Sequence, residues 1–277
     1  MDKTNQIPIY DSASQGSPAL EEIRAIIKYR YLVVQLVRRD ILTRYKRSSL
    51  GVAWTMLNPL GTMLILTIVF SQAFGSAREG YAAYVLSGLI AWNFFAQSTN
   101  AATLHLVWGG SLLKKIYIPR TSFAVSATGT GLINLLLSII PLLIVMLIIQ
   151  VPIRWTIIFL PIPVLFLAMF ALGIGLLIST MAIYYADIAE MYQILLTAWM
   201  YLSPVIWPPE ILPEYLRFWI TTLNPMYYLI ELFRTPIFYG QVPDISLLLI
   251  SAGIASLTLF AGWMFFTSKS DEFAYRV

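Results

Sequence analysis

The sequence predicts an all-α polytopic membrane protein with six transmembrane helices, a cytoplasmic N-terminal amphipathic helix, and short external or re-entrant helices between spans five and six. Three observations predict it. Of 277 residues, 58% are hydrophobic and 12% are charged, where a soluble domain carries roughly 25% charged residues. The apolar residues fall in blocks of about 18 or more, the length that crosses a hydrocarbon core of about 30 Å. Seven of the 15 prolines crowd into one stretch between Ser203 and Pro243.

The N-terminal segment, 1–51, is read as cytoplasmic, and 52–277 as a six-span domain with a short cytoplasmic tail. Ahead of the first span, Arg24, Lys28, Gln35, Arg39 and Lys46 share one helical face and Val33, Val34, Val37 and Ile41 the other, which predicts an interfacial helix on the cytoplasmic leaflet. A basic helix packed on a partner protein is the alternative. The spans are Val52 to Phe74, Ala82 to Val107, Phe123 to Ile149, Ile157 to Ala182, Ile188 to Trp207 and Ile245 to Thr267. The first begins too late and runs too long for a cleaved signal peptide, whose apolar region is about 7–15 residues, so it is expected to persist.

An even span count puts both termini on one side. Arg38, Arg39, Arg44, Lys46 and Arg47 precede the first span, and Lys114, Lys115 and Arg120 lie between the second and third. Only Arg78, Arg154, Arg217 and Arg234 occupy the opposite loops. Basic residues near span ends are retained in the cytoplasm, so both termini are predicted there and the chain in the cell's inner membrane. The net charge of +4 is thus a topology signal and no sign of nucleic-acid binding. In the proline-rich stretch each Pro removes a backbone donor and ends or kinks a helix, which predicts short broken helices.

The chemistry is sparse. There is no cysteine, hence no disulfide or thiolate site. No phosphate-binding loop of the form G-x-x-x-x-G-K-[ST] occurs, so ATP and Mg would have to be bound by another chain. The spans hold no Lys or Arg, and the acidic residues Asp187 and Glu190 sit at the start of the fifth. Ion-coupled carriers keep intramembrane charges as relays, and a membrane glycosyltransferase would need clustered carboxylates or metal ligands; both classes are disfavoured. His105, the one histidine, has no companion ligands at metal spacing and is read as a packing or hydrogen-bonding residue. Asp187 and Glu190 are read as cytoplasmic salt-bridging or partner-contact residues.

Asn93, Gln97 and Asn100 share a face of the second span, with Trp92 beside them. These four are candidate channel lining for a hydrogen-bonding substrate such as a glycan; the amides could equally bond neighbouring helices. Ala171, Gly175 and Ser179 recur every four positions in the fourth span and predict close helix packing. Trp92, Phe94, Phe95, Trp207, Trp219, Tyr227 and Tyr228 fit an aromatic belt at the headgroups, or rings on which sugars stack.

Three stretches carry a family resemblance. VRRDILTRYKRSSLGVAWTMLNPL (Val37 to Leu60), LLKKIYIPR (Leu112 to Arg120) and SPVIWPPEILPEYLRFWITTLNPMYYLIELFR (Ser203 to Arg234) together resemble type-2 ABC permeases of polysaccharide and polyol-phosphate export, in order and spacing, from about residue 30 onward. One departure is that Ala186 precedes Asp187, where the family often has Arg. The resemblance implies a homodimer bound to two copies of a cytoplasmic ABC ATPase, exporting a lipid-linked polysaccharide such as O antigen. Capsule, teichoic acid, drugs or other lipids are the alternative cargoes.

Two sites follow. Arg38, Arg39, Arg44, Lys46 and Arg47 are expected to bind the anionic diphosphate end of the substrate, or anionic lipid, unless they serve topology alone. The connection from Gly109 to Arg120 is expected to dock the ATPase. Leu112, Leu113, Ile116 and Ile118 supply apolar anchors, Lys114, Lys115 and Arg120 supply charge, and Pro119 restricts the re-entry into the third span.

Overall fold

The computed structural model describes residues 18–46, 48–74, 80–108 and 119–273. Within them the chain is helical and holds no strand. The helices are α1 (Pro18–Lys28), α2 (Arg30–Tyr45), α3 (Ala53–Phe74), α4 (Tyr81–Trp108), α5 (Thr121–Ile148), α6 (Pro161–Tyr184), α7 (Asp187–Leu202), α8 (Glu214–Leu223), α9 (Pro225–Arg234) and α10 (Ile245–Lys269). A π-helical turn, Thr235–Tyr239, follows α9.

Four helical segments are long and apolar enough to cross a membrane: Ala53–Phe70, Thr121–Ile148, Trp155–Tyr184 and Ile245–Lys269. The other two expected spans fall short for different physical reasons. At 28 residues, or about 42 Å, α4 is long enough, but Asn93, Gln97, Ser98, Thr99, Asn100 and Thr103 dilute its apolarity. Helix α7 has 16 residues, fewer than the roughly 20 a span needs. It stops at Leu202, before Pro204, rather than at Trp207.

Helix α4 is the hub. It packs on α3, α5, α6, α7 and α9, and Ala83, Tyr84, Val85, Leu86 and Phe95 on it have no exposed surface. Its aromatic face interlocks with α6 and α7: Phe95 lies 5.3 Å from the rings of both Phe170 and Trp199. Trp92, 6.1 Å from Trp199, belongs to the same core, as does the buried Phe94. These three rings therefore do not form an interfacial belt, whereas Trp219 on α8 is exposed.

Close packing rests on small residues. Ala171 and Ser179 are buried, and a Cβ on Gly175 would sit 3.1 Å from the Ala102 Cβ of α4; the four-residue ladder thus faces the hub. An offset pair, missed in the sequence, seats α10 on α6: a Cβ on Gly173 would stand 2.6 Å from the Thr258 carbonyl carbon, and one on Gly262 would run into the Gly173 backbone.

The N-terminal segment is two helices with a break at Tyr29, not one continuous amphipathic helix. The amphipathic piece is α1, whose Leu20, Ile23 and Ile27 are exposed. In α2 the expected segregation fails, since Val34 is exposed while Gln35 is half-buried. Leu36 is buried, and Val37 meets α5 at Gly129, where a Cβ would lie 3.1 Å from a Val37 methyl.

The proline-rich stretch gives short broken helices as expected. Pro213 precedes α8, and Asn224 caps α9 by accepting the Met226 N–H at 3.0 Å, with Pro225 in the first turn. Asn224 also accepts from the Trp199 indole at 2.9 Å and donates to Ser203 Oγ at 2.9 Å, which ties α9 to the end of α7.

Candidate functional site

Where α2 crosses α4 and α5, two polar cavities open side by side. One, of about 370 Å³, is walled by Arg39, Asp40, Arg44, Gln97, His105 and Asn134, among others. The second, of about 350 Å³, reaches Trp54, Asn58, Asn93 and Ser138 and shares Arg44, Gln97 and Asn134 with the first. Carboxamides from α3, α4 and α5 thus converge on one path, each offering both donors and acceptors.

Sequence chemistry shapes the second cavity. Pro59 in α3 has no N–H to give the Thr55 carbonyl, four residues back. The Ser138 hydroxyl of α5 lies 3.3 Å from that orphaned oxygen and 2.8 Å from the Asn134 carbonyl. Proline therefore leaves an α3 carbonyl open beside the amides, and Ser138 brings α5 to it.

On the other face of α2 a wider groove, of about 750 Å³, is lined by Gln35, Arg38, Arg39, Leu42, Lys46 and Val52, among others. Arg39 borders both this groove and the first cavity. Its Nη2 meets Asp40 Oδ1 at 3.0 Å, and Asp40 Oδ2 stands 3.6 Å from His105 Nδ1. The lone histidine of α4 thus faces Asp40 of α2 at this crossing.

Of the expected channel-lining residues, Asn93 and Gln97 stand on the cavity walls. Asn100 is half-buried and lines neither cavity, and Trp92 is core. Asn58, Asn134 and Asp40 were missed, because each becomes a site residue only through a neighbouring helix. Of the five basic candidates, Arg38, Arg39, Arg44 and Lys46 line the groove or the cavities, and Arg47 lies outside the described residues. Leu112, Leu113, Lys114, Lys115, Ile116 and Ile118 also lie outside them. Pro119 is buried, and the Arg120 guanidinium sits 5.9 Å from the Phe273 ring centre.

Beside Arg120, α1 docks at the start of α5. The backbone N–H groups of Thr121 and Arg120 point to the Glu22 carboxylate, an anion at a positive helix end. Burial nonetheless raises the Glu22 pKa above the usual carboxylate value, with those N–H groups and the Arg120 charge opposing the rise. The Trp263 indole of α10 donates to the Ala19 carbonyl of α1 at 3.2 Å. Asp187 and Glu190 are exposed in the first turn of α7, and among the described residues no three His, Asp or Glu side chains gather as a metal site.

An apolar helical body with an amide-lined, arginine-bordered path is the build of an integral membrane transport component. Residues 31–238 match the family described as ABC-2 type transporter, and the chain belongs to that family. It is 29% identical over 258 residues to the O-antigen export system permease protein RfbA of Myxococcus xanthus, covering 92% of this chain and 98% of that one. A Klebsiella pneumoniae protein of the same description is 24% identical over 197 residues, 70% of this chain and 75% of the relative. The capsule polysaccharide export inner-membrane protein CtrC of Neisseria meningitidis is 25% identical over 232 residues, 79% of this chain and 84% of the relative.

Proposed function

We propose that this chain is the membrane-spanning permease of an ATP-driven exporter that moves a lipid-linked polysaccharide, of the O-antigen class, out of the cytoplasm across the inner membrane. The observation that carries this reading is the continuity of the path. The basic groove of Arg38 and Lys46 suits a diphosphate or lipid phosphate, Arg39 stands where the groove meets the first cavity and Arg44 where the first cavity meets the second, and the carboxamides beyond suit hydroxyl-rich sugar. The relatives are named for polysaccharide export and divide between O antigen and capsule, so capsule is the second reading.

On this reading α4 and α7 complete a six-span bundle with both termini cytoplasmic, and α4 owes its polarity to the path it lines. The exposed apolar faces of α3, at Ile65, Ile68 and Val69, and of α7, at Met191, Ile194 and Leu195, suit a two-fold contact with a second copy. Two cytoplasmic ATPase subunits bind ATP and Mg and dock on the Gly109 to Arg120 connection.

The test is reconstitution with the partner ATPase in liposomes, with mass spectrometry of co-purified lipid. ATP-dependent transfer of a lipid-linked glycan across the bilayer is expected. Stimulation of ATP hydrolysis by apolar drugs, with no response to lipid-linked glycan, would overturn the reading. Replacing Ile116 and Ile118 together with Asp is expected to abolish co-purification of the ATPase while insertion persists; a stoichiometric, active complex would move the docking site elsewhere.

A further inference from the structure

At the end of α4 opposite the cavities, a fully buried cation holds an irregular loop. Arg234, the last residue of α9, has no exposed surface. Its Nη1 donates to the Pro204 carbonyl at 2.7 Å and its Nη2 to the Val205 carbonyl at 2.9 Å. The same side chain reaches α4: Nη2 lies 3.2 Å from the Tyr84 carbonyl, Nε lies 3.4 Å from Ser87 Oγ, and the guanidinium stacks 3.7 Å from the Tyr84 ring centre. Among the described residues no carboxylate pairs with it.

The next two carbonyls of the loop are held as well. Tyr81 Oη donates to the Ile206 carbonyl at 3.1 Å, and Tyr84 Oη lies 3.2 Å from that of Trp207. Four successive carbonyls, Pro204 to Trp207, are thus satisfied by α4 side chains and by Arg234. Gly88 makes the fit possible: a Cβ there would collide with Arg234 Nη2 and stand 2.7 Å from the Val205 oxygen.

Non-helical backbone at membrane depth persists only where protein satisfies it. A dry guanidinium bound by oxygens and a π face cannot drop one partner cheaply, because the unmatched charge would remain buried. We propose that Arg234 is a positioning residue that makes the Ser203–Trp207 loop move with α4 rather than with α7, from which the loop departs in sequence. Helix α4 has no internal proline and carries Asn93 and Gln97 on the path and His105 facing α2. It ends at the connection assigned to the ATPase, so a displacement there is delivered to the opposite face through the clamp. This rests on the exporter reading above.

The experiment uses the permease–ATPase complex in liposomes. Because the chain has no cysteine, Ile206→Cys places a single buried thiol in the loop as a reporter. With the clamp intact the thiol should be protected from a membrane-impermeant maleimide. Adding Arg234→Gln should speed labelling about ten-fold or more without ATP, and Arg234→Lys should recover part of the protection, the loss of charged hydrogen bonds setting the scale. Glycan moved per ATP hydrolysed should fall in the same order while the ATPase still co-purifies. Unchanged protection and coupling in Arg234→Gln would overturn the proposal. If that variant does not insert, Tyr84→Phe, which removes the hydroxyl but keeps the ring under the guanidinium, must show faster labelling, and its failure to do so overturns the clamp. Labelling is read without any substrate, so a wrong substrate class leaves this arm standing, while loss of transport in the parent complex counts against the exporter reading alone.

Discussion

The two ends of α4 hold arginines in opposite ways. At the Tyr81 end, Arg234 is dry, fixed by carbonyls and a tyrosine ring, and has no space beside it. At the His105 end, Arg39 and Arg44 border cavities and are exposed, and Arg39 has the Asp40 carboxylate beside it. A guanidinium whose three nitrogens are all engaged by its own protein is part of the scaffold. One that keeps donors free toward an open cavity remains available to a ligand. Residue type is the same at both ends, and solvation decides the role.

The sharpest way to break the contrast is at Gly88. With Gly88→Ala the new methyl meets the Arg234 head and the Val205 carbonyl, neither of which can retreat without giving up a bond. A loss of about 1–3 kcal/mol, as for overpacked sites, is expected and is read as a lowered thermal transition in detergent. Gly253, with nothing within 4 Å of a would-be Cβ, should accept Ala without loss. Equal tolerance at the two glycines would mean that the Tyr81 end is not close-packed.

Arg44→Gln sharpens the other side. Arg44 is exposed and borders both cavities, so stability should change by no more than about 0.5 kcal/mol. Glycan-stimulated ATP hydrolysis should nevertheless fall about ten-fold, the scale of one charge-assisted hydrogen bond. A stability loss without a functional one would make Arg44 scaffold like Arg234.

The ends also differed in how far the sequence revealed them. Asn93 and Gln97 could be placed on one face because helical periodicity is local, and the basic run from Arg38 to Lys46 was visible as charge density. Asn134 and Asp40 could not be assigned, since their roles depend on which helix faces them, and Ser138 acquires its second acceptor only because Pro59 lies opposite. Sequence alone places Arg234 among the loop cations, because proline density marks broken structure without saying whether it is buried. The available signal was its setting: the apolar Leu229, Ile230, Leu232 and Phe233, all buried, run directly up to it in sequence. The α7 boundary was overrun for a related reason, since Val205, Ile206 and Trp207 continue the apolar run past the proline that ends the helix.

The smallest effect expected concerns α1, where the logic of Arg234 is inverted and only partly dry. There an anion, Glu22, sits at the N–H groups of a helix start, as the cation sits at carbonyls in the clamp. Glu22 titrates, and burial raises its pKa above the usual value of 4.5. A carboxyl whose folded pKa is raised binds its proton more tightly when docked. Its contribution to docking is therefore full below the unfolded pKa and is lost as pH rises through the folded one. Hydrogen exchange of the α1 amides should accordingly show tighter docking near pH 4.5 than at neutrality, after correction for the intrinsic pH dependence of exchange. In Glu22→Gln the neutral amide can still accept from Thr121 and carries no charge to desolvate, so the pH dependence should flatten while neutral-pH protection holds or improves. Protection around Arg234 should stay level in both proteins. If α1 instead loosens on acidification, the N–H groups and Arg120 outweigh desolvation, and Glu22 is a true counterpart of the outer clamp rather than its weaker image.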